Sequence, residues 1–182
     1  MDAFKKGFTL IELLVAIAII GILASITVVS IMGVRVNARN AKRNTDINSY
    51  ATAVQMAIND NGEAPDPGDT VFHCLGDPSG GPCGFDDSSP TSISIHSIFL
   101  NYFSSLPFDN FVIDLKYEKW RGYVYRCSSR SALTGICNAG RIWWFLEGVN
   151  QKCGRGTVVY SDYPDDDGSG NTWCQINISA SS

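Results

Sequence analysis

Hydrophobic positions change their spacing twice along this chain. From Phe8 to Val34 almost every residue is apolar, and Glu12 is the only ionisable side chain in the run. A run with no polar face predicts a helix on the order of 38 Å long at ~1.5 Å rise per residue, enough to cross a hydrocarbon core of ~30 Å. Over 34–60 the apolar residues thin to Ile47, Tyr50 or Ala51, Val54, and Ala57 or Ile58, the three- and four-residue spacing of an amphipathic helix. Asn61-Gly62, followed by Pro65 and Pro67, predicts its end. Beyond it the pattern shortens. Residues 76–90 are turn-rich and read as a loop, and 91–106 predict a short helix that turns Ile98, Phe99, Tyr102 and Phe103 inward. RGYVYRC (121–127), RIWWFLEG (141–148) and GTVVYSD (156–162) read as strands. Three to four antiparallel strands packed on the helical stripe would bury it, which makes the fold α+β.

Composition sharpens this division. All six cysteines lie beyond position 60, which argues that the region after the helix sits in an oxidising compartment. Counting basic flanks gives the opposite answer, because Lys5 and Lys6 precede the apolar run while Arg35, Arg39, Lys42 and Arg43 follow it. The cysteines are preferred, together with the orientation that the amino-terminal resemblance described next implies. A secretory signal peptide does not fit, since the run is longer than ~7–15 residues and no small-residue cleavage site ends it. The half-helix 34–60 carries a net charge of +2 and residues 61–182 carry −6, so opposite signs stacking between copies and a plain solvated face are equal readings of the basic cluster.

The segment KKGFTLIELLVAIAIIGILA, residues 5–24, resembles the prepilin signature of type IV pilins and type II secretion pseudopilins. The resemblance is close over residues 1–30 and loose to about Asp60. It implies a pilin-like lollipop: leader 1–7, a transmembrane and filament-core half-helix 8–33, an amphipathic half-helix 34–61, and a disulfide-rich head 62–182. A membrane-embedded prepilin peptidase would cut between Gly7 and Phe8, and the new amino group of Phe8 would be methylated. Glu12 would then form an assembly salt bridge with the Phe8 amine of a neighbouring subunit. An unpaired carboxylate in hydrocarbon is worse than a paired one, so the charge would act on register. The implied function is a structural subunit of an extracellular type IV pilus, held as a single-pass membrane protein with its head outside the cytoplasm. An assembly platform with its ATPase would polymerise it into a homopolymer. The alternatives are a pseudopilin forming a periplasmic piston for type II secretion, and a minor pilin binding module at the filament tip. Many type IV pilins have a proline inside the helix; this chain has none before Pro65, which leaves the pseudopilin alternative and Gram-positive-like relatives open.

The remaining candidates concern the head. Cys74, Cys83, Cys127, Cys137, Cys153 and Cys174 allow fifteen pairings, and spacing does not choose among them. Sequential pairing is the expectation, and its last pair resembles the disulfide-bounded end of many type IV pilins. Asp165, Asp167, Ser169 and Asn171 alternate short oxygen donors around Gly170 like the first half of a calcium loop. Ile176 stands where a bidentate glutamate would close it, so a solvated acidic turn is preferred and Ca²⁺ is the alternative. No cofactor is required. Of Tyr123, Tyr125, Trp143, Trp144 and Phe145, alternation along strands puts half in a core, and an acidic head repels phosphate, so no nucleic-acid partner is expected. Asn177-Ile178-Ser179 matches a glycosylation sequon. With two histidines and no nucleophile elbow, zinc helix or phosphate loop, an enzyme is not expected.

Overall fold

The computed structural model describes residues 8–69, 71–76, 93–109, 112–115, 118–164 and 170–179, with the side chains of 26–32, 93–94, 113–115, 118–119, 121 and 164 left aside. The chain divides into two compact units, Met1–Arg39 and Asn40–Ser182. One helix, α1 (Leu10–Asn61), contributes to both. It ends where Gly62 takes a φ of 78° and returns its N–H to the Ile58 carbonyl at 2.8 Å. A side chain at that φ is strained, which is why Asn61-Gly62 stops the helix.

The second unit is a five-stranded antiparallel sheet in the order β1-β4-β5-β7-β6, built from β1 (His73–Leu75), β4 (Tyr123–Arg130), β5 (Cys137–Glu147), β6 (Thr157–Pro164) and β7 (Gly170–Ser179). A separate hairpin pairs β2 (Val112–Leu115) with β3 (Glu118–Arg121). The α+β class agrees with the sequence pattern, but the strands outnumber the three or four expected. β7 is hidden in the sequence because it opens on Gly170-Asn171 directly after the acidic stretch 165–167 and mixes polar residues and a cysteine into its alternation, and β1 is too short to show a period. The expected helix over 91–106 is only α2 (Ile93–Phe99). Past Phe99 the chain leaves in turns whose N–H groups at Tyr102 and Phe103 return to the Phe99 carbonyl, at 2.9 and 3.1 Å.

Both faces of the sheet are covered. On one, Ile47, Tyr50, Ala51, Val54 and Ile58 of α1 pack with Ile95 and Phe99 of α2 on Tyr123, Tyr125, Ile142, Trp144 and Leu146. The stripe read from the sequence is therefore the buried stripe. Tyr50 sits edge-on to Phe99 at 5.3 Å and to Tyr123 at 6.2 Å. The Tyr125 ring lies across Gly140, where an added Cβ would come within 2.6 Å of its hydroxyl, and that hydroxyl donates to the Pro65 carbonyl at 2.6 Å. On the other face Trp120 of β3 joins Val124, Trp143 and Phe145, flanked by Phe72, Tyr163 and Trp173. The expectation that half of the strand aromatics would be exposed is corrected: all five are buried, because this second layer covers the outward-pointing ones.

Disulfides join Cys127 to Cys137 across β4 and β5, with Cα atoms 5.8 Å apart, and Cys153 to Cys174, tying the loop before β6 to β7, with Cα atoms 5.6 Å apart. Cys74 is also disulfide-bonded, and Cys83 lies outside the described residues. Cross-links of this size are each worth ~2–4 kcal/mol.

Candidate assembly segment and its anchorage

In the first unit the helix leaves its described large apolar side chains exposed. From Phe8 to Leu23 the large hydrophobics are exposed by between 52% (Ile19) and 82% (Phe8), on every side of the helix. At roughly 25 cal/mol per Å² this surface has a strong drive to be covered. Among the described residues no helix is long and apolar enough to cross a membrane; the side chains described in the apolar run stop at Ser25 and resume at Gly33.

Glu12 has a local role that the sequence reading overlooked. The Thr9 N–H and Oγ1–H both donate to Glu12 Oε2, at 2.9 and 2.7 Å, and the Glu12 N–H donates back to Thr9 Oγ1 at 3.3 Å. This is a capping box: threonine at the N-cap and glutamate three residues on satisfy donors that the first helical turn leaves without partners. The signal was visible as T-x-x-E before an apolar run. The residue is also exposed, so a single carboxylate oxygen, Oε2, holds the helix start while the charge stays accessible. Phe8 lies directly before the cap and is exposed; Gly7 lies outside the described residues.

The basic residues after the apolar run have separate fates. Arg43 is 2% exposed, and its guanidinium bonds Asp109 Oδ2 through Nε at 2.5 Å, and Glu147 Oε1 and Asn40 Oδ1 through Nη1 at 2.8 and 3.0 Å. Asn40 closes the arrangement by donating to the Glu147 carbonyl at 2.9 Å and accepting the Glu147 N–H at 3.0 Å. Lys42 pairs with Asp46 at 2.6 Å, and Tyr123 Oη donates to the same carboxylate at 2.7 Å. Burial, reinforced by Asp46, pushes the hydroxyls of Tyr123 and Tyr50 far above the usual tyrosine range; burial and then Asp66 do the same for Tyr125. Arg43, through Glu147 of β5, and Asp46, through Tyr123 of β4, thus fasten the amphipathic half of α1 to the sheet.

Of the calcium candidates, Asp165, Asp167 and Ser169 lie outside the described residues. Asn171 is buried at the start of β7, with its Cα paired to Glu147 and Tyr163. Among the described residues no group of three acidic, histidine or cysteine side chains could hold a metal ion. Asn177 is exposed on β7.

Residues 3–28 match the family described as the prokaryotic N-terminal methylation motif. The type II secretion system core protein G of Pectobacterium carotovorum subsp. carotovorum is 41% identical over 61 residues, covering 34% of this chain and 39% of that protein. The protein of the same name from Escherichia coli (strain K12) is also 41% identical over 61 residues, with 34% and 42% covered. That from Dickeya chrysanthemi is 37% identical over 65 residues, with 36% and 42% covered. The chain thus spans about two fifths of the length of the curated relatives it matches. No solved structure matches it.

Proposed function

We propose that this chain is a pilin-class filament subunit of the type II secretion kind, a pseudopilin. The alternative from the sequence thereby displaces the extracellular type IV pilus as the main reading, since the relatives are secretion proteins by name. The observation that carries the proposal is the helix start: an apolar surface exposed on all sides, opened by a capped glutamate, inside the stretch that matches the methylation motif. In this reading a prepilin peptidase cuts after Gly7 and Phe8 is methylated. The apolar half of α1 then anchors the subunit once through the inner membrane, with the head on the far side, until an ATPase-driven platform passes it into a homopolymer.

Burial of the apolar half then happens twice, first in lipid and then against other copies. Leaving lipid for a protein environment gives little net hydrophobic gain, because acyl chains are as apolar as leucine. The charge on Glu12 supplies the discrimination: in a correctly staggered neighbour it meets the Phe8 amine, and in a misplaced one it stays unpaired. No catalytic chemistry and no cofactor are required. The Asp165, Asp167, Ser169 and Asn171 set stands as the cation proposal for the head. Calcium raising the melting temperature of the EDTA-treated chain supports it, and an unchanged temperature discards it.

Deleting the coding region tests the function. Loss of protein secretion without loss of surface fibres is the expected result; loss of long fibres with intact secretion returns the chain to the pilus class.

A further inference from the structure

The second face of the sheet carries a basic pair that neither the fold nor the assembly segment uses. Arg126 of β4 and Arg141 of β5 are direct cross-strand partners, and Arg141 is in turn opposite Asn177 of β7. These three side chains form a row across three strands. Like charges directly opposite each other destabilise a sheet, so a pair of arginines there needs a compensating reason.

No carboxylate supplies it among the described residues. Arg43 and Arg130 each meet carboxylates, at Asp109 and Glu147 and at Asp66, whereas among the described residues no ion pair forms at Arg126 or Arg141. Their Nε atoms are buried without a hydrogen-bond partner. Each guanidinium instead lies against an aromatic ring, Arg126 over Phe72 at 5.4 Å and Arg141 over Trp143 at 5.5 Å. Stacking of this kind fixes the guanidinium planes and weakens their hydration while leaving their N–H edges available. Ser128, the extra residue at a break in the β4–β5 register, places Oγ 3.0 Å from Asn177 Oδ1, which leaves the Asn177 Nδ2 group as a donor beside the pair. The row therefore offers fixed donors and two positive charges, in a head whose net charge is −6.

We propose that Arg126, Arg141 and Asn177 form an oxyanion-binding site on the second face of the sheet, taking a tetrahedral or carboxylate oxyanion by charge-assisted, forked hydrogen bonds. The oxyanion is either a free inorganic ion or a carboxylate from a neighbouring copy of this chain. The site goes beyond the assembly reading and does not depend on it.

Calorimetric titration of the full chain in detergent with sodium sulfate, against sodium chloride at matched ionic strength, tests the site. Saturable sulfate binding is expected, weakened about tenfold or more by Arg126→Gln and by Arg141→Gln and unchanged by Arg155→Gln in an exposed loop. Near-UV circular dichroism checks that each variant keeps its tryptophan packing. Should a glutamine variant fail to fold, the Arg126→Lys and Arg141→Lys variants, which keep the charge and lose the fork, are expected to bind sulfate more weakly. No saturable binding to the wild type, or wild-type binding by the folded variants of both arginines, overturns the proposal. Sedimentation of the same samples separates the sources. Sulfate that dissociates copies of the chain identifies a neighbour's carboxylate as the natural ligand, and an unchanged mass identifies a free oxyanion.

Discussion

The two halves of α1 belong to one continuous helix but differ in how their apolar residues are spaced, and they reach opposite ends. Between Asn40 and Ile58 one face carries Ile47, Tyr50, Ala51, Val54 and Ile58, all buried on the sheet and α2, and polar anchors at Asn40 and Arg43 fix the helix to β5. Between Phe8 and Leu23 apolar residues face every direction and stay exposed. A helix that is apolar on one stripe is completed by its own chain; a helix apolar all round is not. In the proposed function, the difference separates folding from assembly along a single element. Stability of the head should depend on the second half alone, and the first half should matter only to what surrounds it.

Arg43→Ala breaks the comparison most severely on the folded side. It strands Asp109 and Glu147 without their shared cation, and a loss of about 3–5 kcal/mol in the unfolding free energy of the head is expected by denaturant titration. Ile47→Ala and Ile17→Ala make the matched pair that sharpens it. The first deletes buried methyl groups and should cost about 2–5 kcal/mol, whereas the second should leave head unfolding within about 0.5 kcal/mol and lower filament yield instead. Equal costs from the two isoleucines would erase the distinction between the halves. Gly140→Ala drives a Cβ into the Tyr125 ring against the buried stripe and should cost about 1–3 kcal/mol, read as a lower denaturation midpoint.

The mildest test is alkaline pH. Tyr50, Tyr123 and Tyr125 hold their protons more tightly folded than unfolded, so above the unfolded tyrosine value near ~10 the unfolded chain binds fewer protons and stability falls as pH rises. Below that pH the effect vanishes. Each tyrosine contributes a slope of about 1.4 kcal/mol per pH unit, and Tyr50→Phe should remove one such share from the pH dependence of the denaturation midpoint.

The stripe on α1 was legible because burial there follows from spacing inside one element. Arg43 was not, since its burial is set by Asp109 and Glu147, which lie 66 and 104 residues further along the chain. In the sequence it is one of four basic residues and looks solvated. The hairpin of β2 and β3 lacked turn residues that would have announced it, and with it went the second aromatic layer anchored by Trp120. At the helix start the residues were read correctly and their local geometry was not. In the sequence Glu12 reads as a charge alone, and it is Thr9, three residues earlier, that makes it a cap.

That double role leads to the most direct measurement. Glutamine at position 12 keeps an oxygen that accepts from Thr9 and so preserves the capping box, but it removes the charge. The Glu12→Gln chain should be cleaved and membrane-held like wild type, with filament yield, measured by shearing and immunoblotting, down by about tenfold or more, the ~1.4 kcal/mol or more expected from an unpaired buried charge. Wild-type filament yield from Glu12→Gln would show that the glutamate does no more than cap its own helix, and would contradict assembly through an intermolecular pair with Phe8.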